Sequence, residues 1–208
     1  MKAAAKPSVY IVDDEAAVRE GLSWLMQVEG LPTRLFATAE DFLNACIPEM
    51  RGCVLLDIRL PDLSGLEVQK QLEKRAIHIP IIFLTGHGDV PMSRQAFRSG
   101  AVDFLQKPCS DQILLERVHE ALELDASRSQ QDHHLADIRD RYERLSRREK
   151  QIMALVIVGK SSREIATELF ISNRTVEVHR AHIMEKLQAE SLTRLIAIGY
   201  ELKLIENL

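Results

Sequence analysis

Five polar residues stand at the ends of short apolar runs, and their types suit one chemistry. Asp13 and Asp14 follow SVYIV (8–12), Asp57 closes GCVLLD (52–57), Thr85 closes PIIFLT (80–85), and Lys107 with Pro108 follows AVDFL (101–105). Three carboxylates brought together repel, and a divalent cation relieves the repulsion. Hard oxygen ligands suit Mg2+, which keeps several of its own waters. A carboxylate held beside such a metal can attack phosphorus. The metal and a lysine then neutralise charge on the phosphoryl group in transfer. The Thr85 hydroxyl can hydrogen-bond the transferred group, and Asp57, on the middle run, is the candidate nucleophile. Taken singly, an Asp at a strand end is usually a turn former or a helix N-cap. All five together at strand ends are much harder to obtain by accident.

Between the β-rich runs, which include TRLFA (33–37), lie amphipathic stretches. One carries Val18, Leu22, Leu25 and Met26 at helical spacing, another Leu66, Val68 and Leu72. Five βα units in this order predict an α/β fold, a doubly wound five-stranded parallel sheet with helices on both faces. The runs VLLD and PIIFL are apolar on both faces, as buried parallel strands are. Ligands of an open α/β sheet bind outside the carboxyl ends of its strands, which is where the five residues fall. From about residue 146 the β-rich runs stop. Helices are expected over 146–158, 161–169, 172–187 and 191–205, with Gly159 as a stop and Ser161 or Ser162, then Ser172 or Asn173, as N-caps. The chain thus reads as an α/β domain (1–124), a helical linker (125–144) and a small all-α domain (145–208). The linker lacks Pro and Gly and carries Leu135, Ile138, Tyr142 and Leu145 at spacings of three, four and three. These form either a short coiled-coil seam or one face of a solvated helix that extends the last helix of the α/β domain.

The 208 residues carry 46% hydrophobic and 28% charged side chains, which excludes disordered, collagen-like and membrane-dominated chains. A net charge of −4 confines any nucleic-acid role to part of the chain, since dedicated nucleic-acid binders are usually basic. The charge is indeed uneven: residues 1–124 hold 13 Lys and Arg against 18 Asp and Glu, and residues 145–208 hold 10 against 8. Cys46, Cys53 and Cys109 form no CxxC pair and read as small packed residues. With no signal-peptide pattern and no long apolar run, a cytoplasmic location is expected, with no membrane contact.

In the helical part, Ile165, Ala166 and Leu169 share one helix face and Val176, Ile183 and Leu187 share one face of the next. Arg174, Glu177, Val178, Arg180, Ala181 and Glu185 are left outward on the second helix, and His179 near its core face. Two such helices with a short turn match a helix-turn-helix, whose second helix enters the major groove, or an ordinary helical bundle. GKSS is not a P-loop, because Ala154 stands where its first Gly belongs.

The segments VDDE (12–15), LLDIRLPDLSG (55–65), FLTGHGD (83–89) and FLQKP (104–108) resemble the receiver domain of bacterial two-component response regulators over residues 7–124. The resemblance implies a flavodoxin- or CheY-like fold with Asp57 as phospho-acceptor. It implies Mg2+ held by Asp14, Asp57 and the Arg59 backbone carbonyl, with Asp13 acting through water. Thr85 and Lys107 would contact the phosphoryl group, Lys107-Pro108 would be cis, and Phe104 would be the switch aromatic. Arg59 and His87 occupy positions that tune phosphoryl lifetime. LSRRE (145–149), GKSSREIA (159–166), IS (171–172), RTVEVHR (174–180) and KL (186–187) resemble the DNA-binding domain of LuxR, NarL and FixJ regulators, closest to the FixJ-like branch. By this resemblance Glu177, Val178 and Ala181 face the groove. Lys160, Arg163, Arg174, Thr175 and Arg180 are candidates for phosphate contacts. The last helix, with Leu192, Leu195, Ile196, Gly199 and Leu202, either pairs two DNA-binding domains or caps its own core. The implied partners are a sensor histidine kinase, double-stranded promoter DNA, RNA polymerase and a second copy of the chain, joined on phosphorylation through residues 91–106. Two other readings compete. A hydrolase passing through an aspartyl-phosphate would carry a second Asp two residues after the nucleophile, where Arg59 stands. A phosphorylation-independent DNA-binding regulator would have an inactive receiver.

Overall fold

A computed structural model describes residues 6–86 and 101–204. Its sheet is built outward from the most apolar run. β3 (Gly52–Asp57) is buried along its whole length, flanked by β1 (Ser8–Val12) and β4 (Ile81–Thr85). β2 (Thr33–Phe36) lies beyond β1 and β5 (Asp103–Gln106) beyond β4, all parallel, in the order β2-β1-β3-β4-β5. This is the expected doubly wound sheet, with the fifth strand starting two residues later than its composition suggests.

Alternation along the strands sorts the apolar residues into two cores. Tyr10, Val12, Val54, Leu56 and Phe83 face one side, where α2 (Ala39–Ala45) and α3 (Gly65–Lys74) supply Phe42, Leu43, Val68 and Leu72. Val9, Ile11, Cys53, Leu55, Ile82 and Leu84 face the other. There α1 (Ala16–Val28) supplies Met26, and α4 (Asp111–Glu143) supplies Leu114, Val118 and Ala121. Asp125, one turn past Ala121, is buried; its carboxylate accepts from the Gly52 N–H at 3.0 Å and from Arg51 Nε at 2.9 Å, which fastens α4 to the start of the central strand.

By its internal contacts the chain forms two units, Met1–Arg128 and Ser129–Leu208, and α4 continues unbroken through the division. The second unit therefore includes part of the expected linker. Ile138 and Leu145 are buried in its core and Tyr142 packs against it, while Leu135 is 38% exposed. Three of the four seam residues are thus spent within their own unit. Residues 126–137 of the same helix stay largely exposed, as in a solvated extension of the last receiver helix.

The second unit continues with α5 (Arg147–Ile157), α6 (Ser162–Glu168), α7 (Asn173–Leu187) and α8 (Leu192–Glu201). Each opens on a serine whose side chain accepts a backbone N–H three residues on: Ser146, Ser161, Ser172 and Ser191. Such caps satisfy donors that a helix start otherwise leaves open. Gly159, at φ +87°, ends the α5 turn in a conformation that costs glycine little. Ile152, Val156, Ile165, Val176, Ile183 and Leu187 form the shared core. On α8, Leu195 and Gly199 are buried toward that core, Ile196 and Leu202 are half-buried, and Leu192 stays 44% exposed.

Candidate functional site

β1 and β3 are neighbours in register, so their carboxyl ends deliver Asp13, Asp14 and Asp57 to one place. Carboxylate oxygens of the three lie within 4.8 Å of one another; Asp13 and Asp57 are buried and Asp14 is exposed. Beside them β5 ends, and Lys107 reaches in from the next residue. Its Nζ donates to Asp13 Oδ2 and to Asp57 Oδ2, each at 2.5 Å. Burial pushes the Lys107 ammonium down, and its bonds to the two carboxylates outweigh this and hold it above its ordinary value. The Lys107-Pro108 peptide is cis, as expected. Thr85, at the end of β4, is buried, and its carbonyl accepts the Lys107 backbone N–H at 2.6 Å.

Backbone and side-chain donors set the remaining oxygens. Asp13 Oδ1 accepts the Glu15 N–H and Asp57 Oδ1 accepts the Arg59 N–H, both at 2.9 Å. Arg19, on α1, donates to the Asp13 carbonyl at 2.6 Å. The loop after Asp57 folds back on itself. The Gly65 N–H bonds the Ile58 carbonyl at 2.9 Å, and Arg59 and Ser64 form an isolated bridge. A Cβ at residue 65 would stand 2.5 Å from the Asp57 carbonyl oxygen, so that closure requires glycine. Asp62, at the far turn of the loop, accepts the N–H groups of Ala39 at 3.2 Å and Glu40 at 2.8 Å. Slight burial pushes the Asp62 carboxyl up; the N–H groups around it outweigh this and hold it below its ordinary value.

Among the described residues, one lysine thus bonds two of three clustered carboxylates, Asp13 and Asp57. That oxygen-rich, net negative donor set fits a small hard divalent cation such as Mg2+. Phe104 is half-buried on β5 and packs at 6.4 Å, ring centre to ring centre, from Phe83. His87 and residues 91–100 of the expected dimer face lie outside the described residues.

In the helical unit, α7 exposes Arg174, Thr175, Glu177, Val178 and Ala181 together. Thr175 Oγ1 lies 2.8 Å from Ser172 Oγ, so its hydroxyl is shared with the helix cap. Arg180 is half-buried and donates to Ser162 Oγ at 2.6 Å, tying α7 to the first turn of α6, with Glu177 at 3.9 Å. Arg163 is exposed, and Lys160 is paired with Glu168. His179 packs half-buried, as its position on the helix implies. Arg148 donates to the Leu169 carbonyl at 2.7 Å and closes the turn between α6 and α7. Glu149 is buried, accepts the Ser146 N–H, and takes two bonds from Lys186 at 2.7 and 2.8 Å. Burial alone would raise the Glu149 carboxyl; Lys186 and Ser146 outweigh it and hold it at about 2. Sequence reasoning passes over Arg19, Asp62, Arg148 and this pair, since each finds its partner only in the packed structure.

Residues 9–119 match the response regulator receiver domain family, and residues 143–198 match the bacterial regulatory proteins of the luxR family. Nodulation protein W of Bradyrhizobium diazoefficiens is 41% identical over 99% of this chain and 91% of its own length. The transcriptional regulatory protein FixJ of Rhizobium meliloti is 43% identical over 92% of this chain and 94% of its own. The structure of the response regulator StyR superposes with a TM-score of 0.85 at 41% identity, covering 95% of this chain and all of that one. Among the described residues no helix is long and apolar enough to cross a membrane. With an acidic cluster at the strand ends, a capped helix pair behind it in sequence, and relatives alike over nearly the full length, this chain belongs to the two-component response regulators that join a receiver to a LuxR-type DNA-binding domain.

Proposed function

We propose that Asp57 accepts a phosphoryl group from a sensor histidine kinase and that this controls DNA binding by the helical unit. The observation that carries the reading is Lys107, 2.5 Å from both Asp13 and Asp57, with Asp14 close by. An Asp57 carboxylate oxygen attacks phosphorus. The O–P bond forms as the donor's N–P bond breaks, and the leaving imidazole takes a proton. Lys107 supplies positive charge to the transferred oxygens, and the Thr85 hydroxyl donates to one of them. Asp14, Asp57 and the Arg59 carbonyl would hold Mg2+ directly, with Asp13 through water. When bound, the cation offsets the charge that three carboxylates and a phosphoryl group accumulate.

The added charge biases a two-state element, for which Thr85 and Phe104 are the candidates. Residues 91–106 then join two copies, and two helix-turn-helix units reach paired half-sites of promoter DNA, where they meet RNA polymerase. Glu177, Val178 and Ala181 would read base edges, the Glu by accepting from a cytosine amino group and the apolar pair by contact with thymine methyls. Lys160, Arg163, Arg174, Thr175 and Arg180 would contact phosphates, which position without specifying.

The test is intact mass after incubation with Mg2+ and a small phosphoryl donor, beside Asp57→Asn. One acid-stable, base-labile phosphoryl group on the parent alone is expected. Equal labelling of both would overturn the assignment of Asp57. Labelling of neither would favour a phosphorylation-independent regulator.

A further inference from the structure

Asp62 lies outside the acidic cluster, yet it holds the loop that borders it. This loop, Ile58–Ser64, leaves β3 directly after Asp57 and carries the Arg59 carbonyl. Leu60 and Leu63 rest on the core beside α2 and α3. The loop's internal bonds, Gly65 to Ile58 and Arg59 to Ser64, fix its shape. The loop's start is held to β4, where the buried Ile58 donates its N–H to the Leu84 carbonyl at 3.2 Å. Its far turn is held to α2 by the Asp62 carboxylate, through both oxygens. Oδ1 takes the Ala39 N–H and Oδ2 the Glu40 N–H at the start of α2, while Thr38 takes the Asp41 N–H next to them. A carboxylate spanning two neighbouring N–H groups restrains rotation as well as distance, as a bidentate contact does. Asp62 is exposed, so it adds little to the core.

We propose that Asp62 is a positioning residue for metal binding and phosphoryl transfer: by gripping the start of α2 it sets where the Arg59 carbonyl stands relative to Asp14 and Asp57. The inference rests on the phosphoryl-transfer reading above and assigns it a residue that touches neither metal nor phosphoryl group. Partners that orient metal ligands from outside commonly change metal affinity when removed. Asn at this position keeps one acceptor oxygen and so keeps one of the two bonds.

The experiment titrates the full-length parent, Asp62→Ala and Asp62→Asn with Mg2+ alone by calorimetry. It then measures the Mg2+ concentration that half-saturates labelling by a small phosphoryl donor, and the melting temperature of each. Asp62→Ala is expected to weaken Mg2+ binding about three- to tenfold, with the half-saturating concentration rising in parallel and full labelling restored at high Mg2+. Asp62→Asn should recover most of the affinity. A lower melting temperature with unchanged Mg2+ affinity in Asp62→Ala would make Asp62 a helix cap only and overturn the proposal. A parent that neither binds Mg2+ nor takes label would overturn the phosphoryl-transfer reading itself, and this inference with it.

Discussion

Replacing Glu149 by Gln tests whether one buried carboxylate, paired with a partly exposed lysine, holds the helical unit together. The Glu149 side chain is 4% exposed and bonds Lys186 twice. Its carboxyl sits at about 2, against an ordinary 4.5. At about 1.4 kcal/mol per pH unit this gap corresponds to about 3 kcal/mol of folding free energy. Lys186 is 42% exposed, and solvent around it screens part of the gain, leaving about 2 kcal/mol. Because the folded carboxyl titrates lower than the unfolded one, the contribution is complete above about pH 4.5 and disappears as pH falls through about 2. Amide hydrogen exchange read on peptides reports each unit separately in the full chain. At pH 7, Glu149→Gln should lower protection in α5 and α7 by about thirtyfold, with receiver peptides unmoved. The difference should hold at pH 5 and close near pH 2. An equal difference at pH 7 and pH 2 would mean that lost packing, not lost charge, is responsible. No difference at pH 7 would refute the reasoning outright.

Phosphorylation should raise the solution mass toward a dimer; light scattering that shows no change would remove the dimerisation step. Arg180→Ala should weaken binding to all duplex DNA and reduce the salt slope by about one, read by titration at several salt concentrations; a change in sequence preference alone would make Arg180 a base reader. Asp125→Ala should destabilise the receiver by about 2 kcal/mol in denaturant unfolding, because the buried Gly52 N–H loses its acceptor, while Arg51 keeps its bond to the residue 125 carbonyl. An unchanged midpoint would show that water replaces the carboxylate at no cost.

What sequence reasoning reaches, and what it misses, follows from distance along the chain. β3 and β4 are readable because strands buried on both faces must be apolar along their length, and CVLL and IIFL are, before each strand ends on a polar site residue, Asp57 or Thr85. The helix starts are readable because a serine cap acts within three residues. Asp13, Asp57 and Lys107 are readable as candidates because a parallel sheet gathers its strand ends. Their mutual bonds are not, since Lys107 meets Asp13 across 94 positions. Asp62 finds α2 across 23 positions and Glu149 finds Lys186 across 37, through packing that no local pattern encodes. The seam of Ile138, Tyr142 and Leu145 misleads for the opposite reason. Its spacing is right for a helix face, but spacing does not say which neighbour covers that face.

The order of strands in the sheet also bears on how the chain acquires its structure. β1 cannot be enclosed until β3 arrives, with Ser8 pairing Gly52 across roughly forty residues, and β4 and β5 must then add in turn. Such distant pairings must close large loops before any contact rewards them, which slows folding. The helical unit needs no such pairing to form its elements: each of its four short helices is started by its own serine, and helical hydrogen bonds close within four residues. In refolding from denaturant the DNA-reading half is therefore expected to form first and the phosphate-sensing half to follow. For an interval the chain would carry a finished reader with no working sensor to govern it.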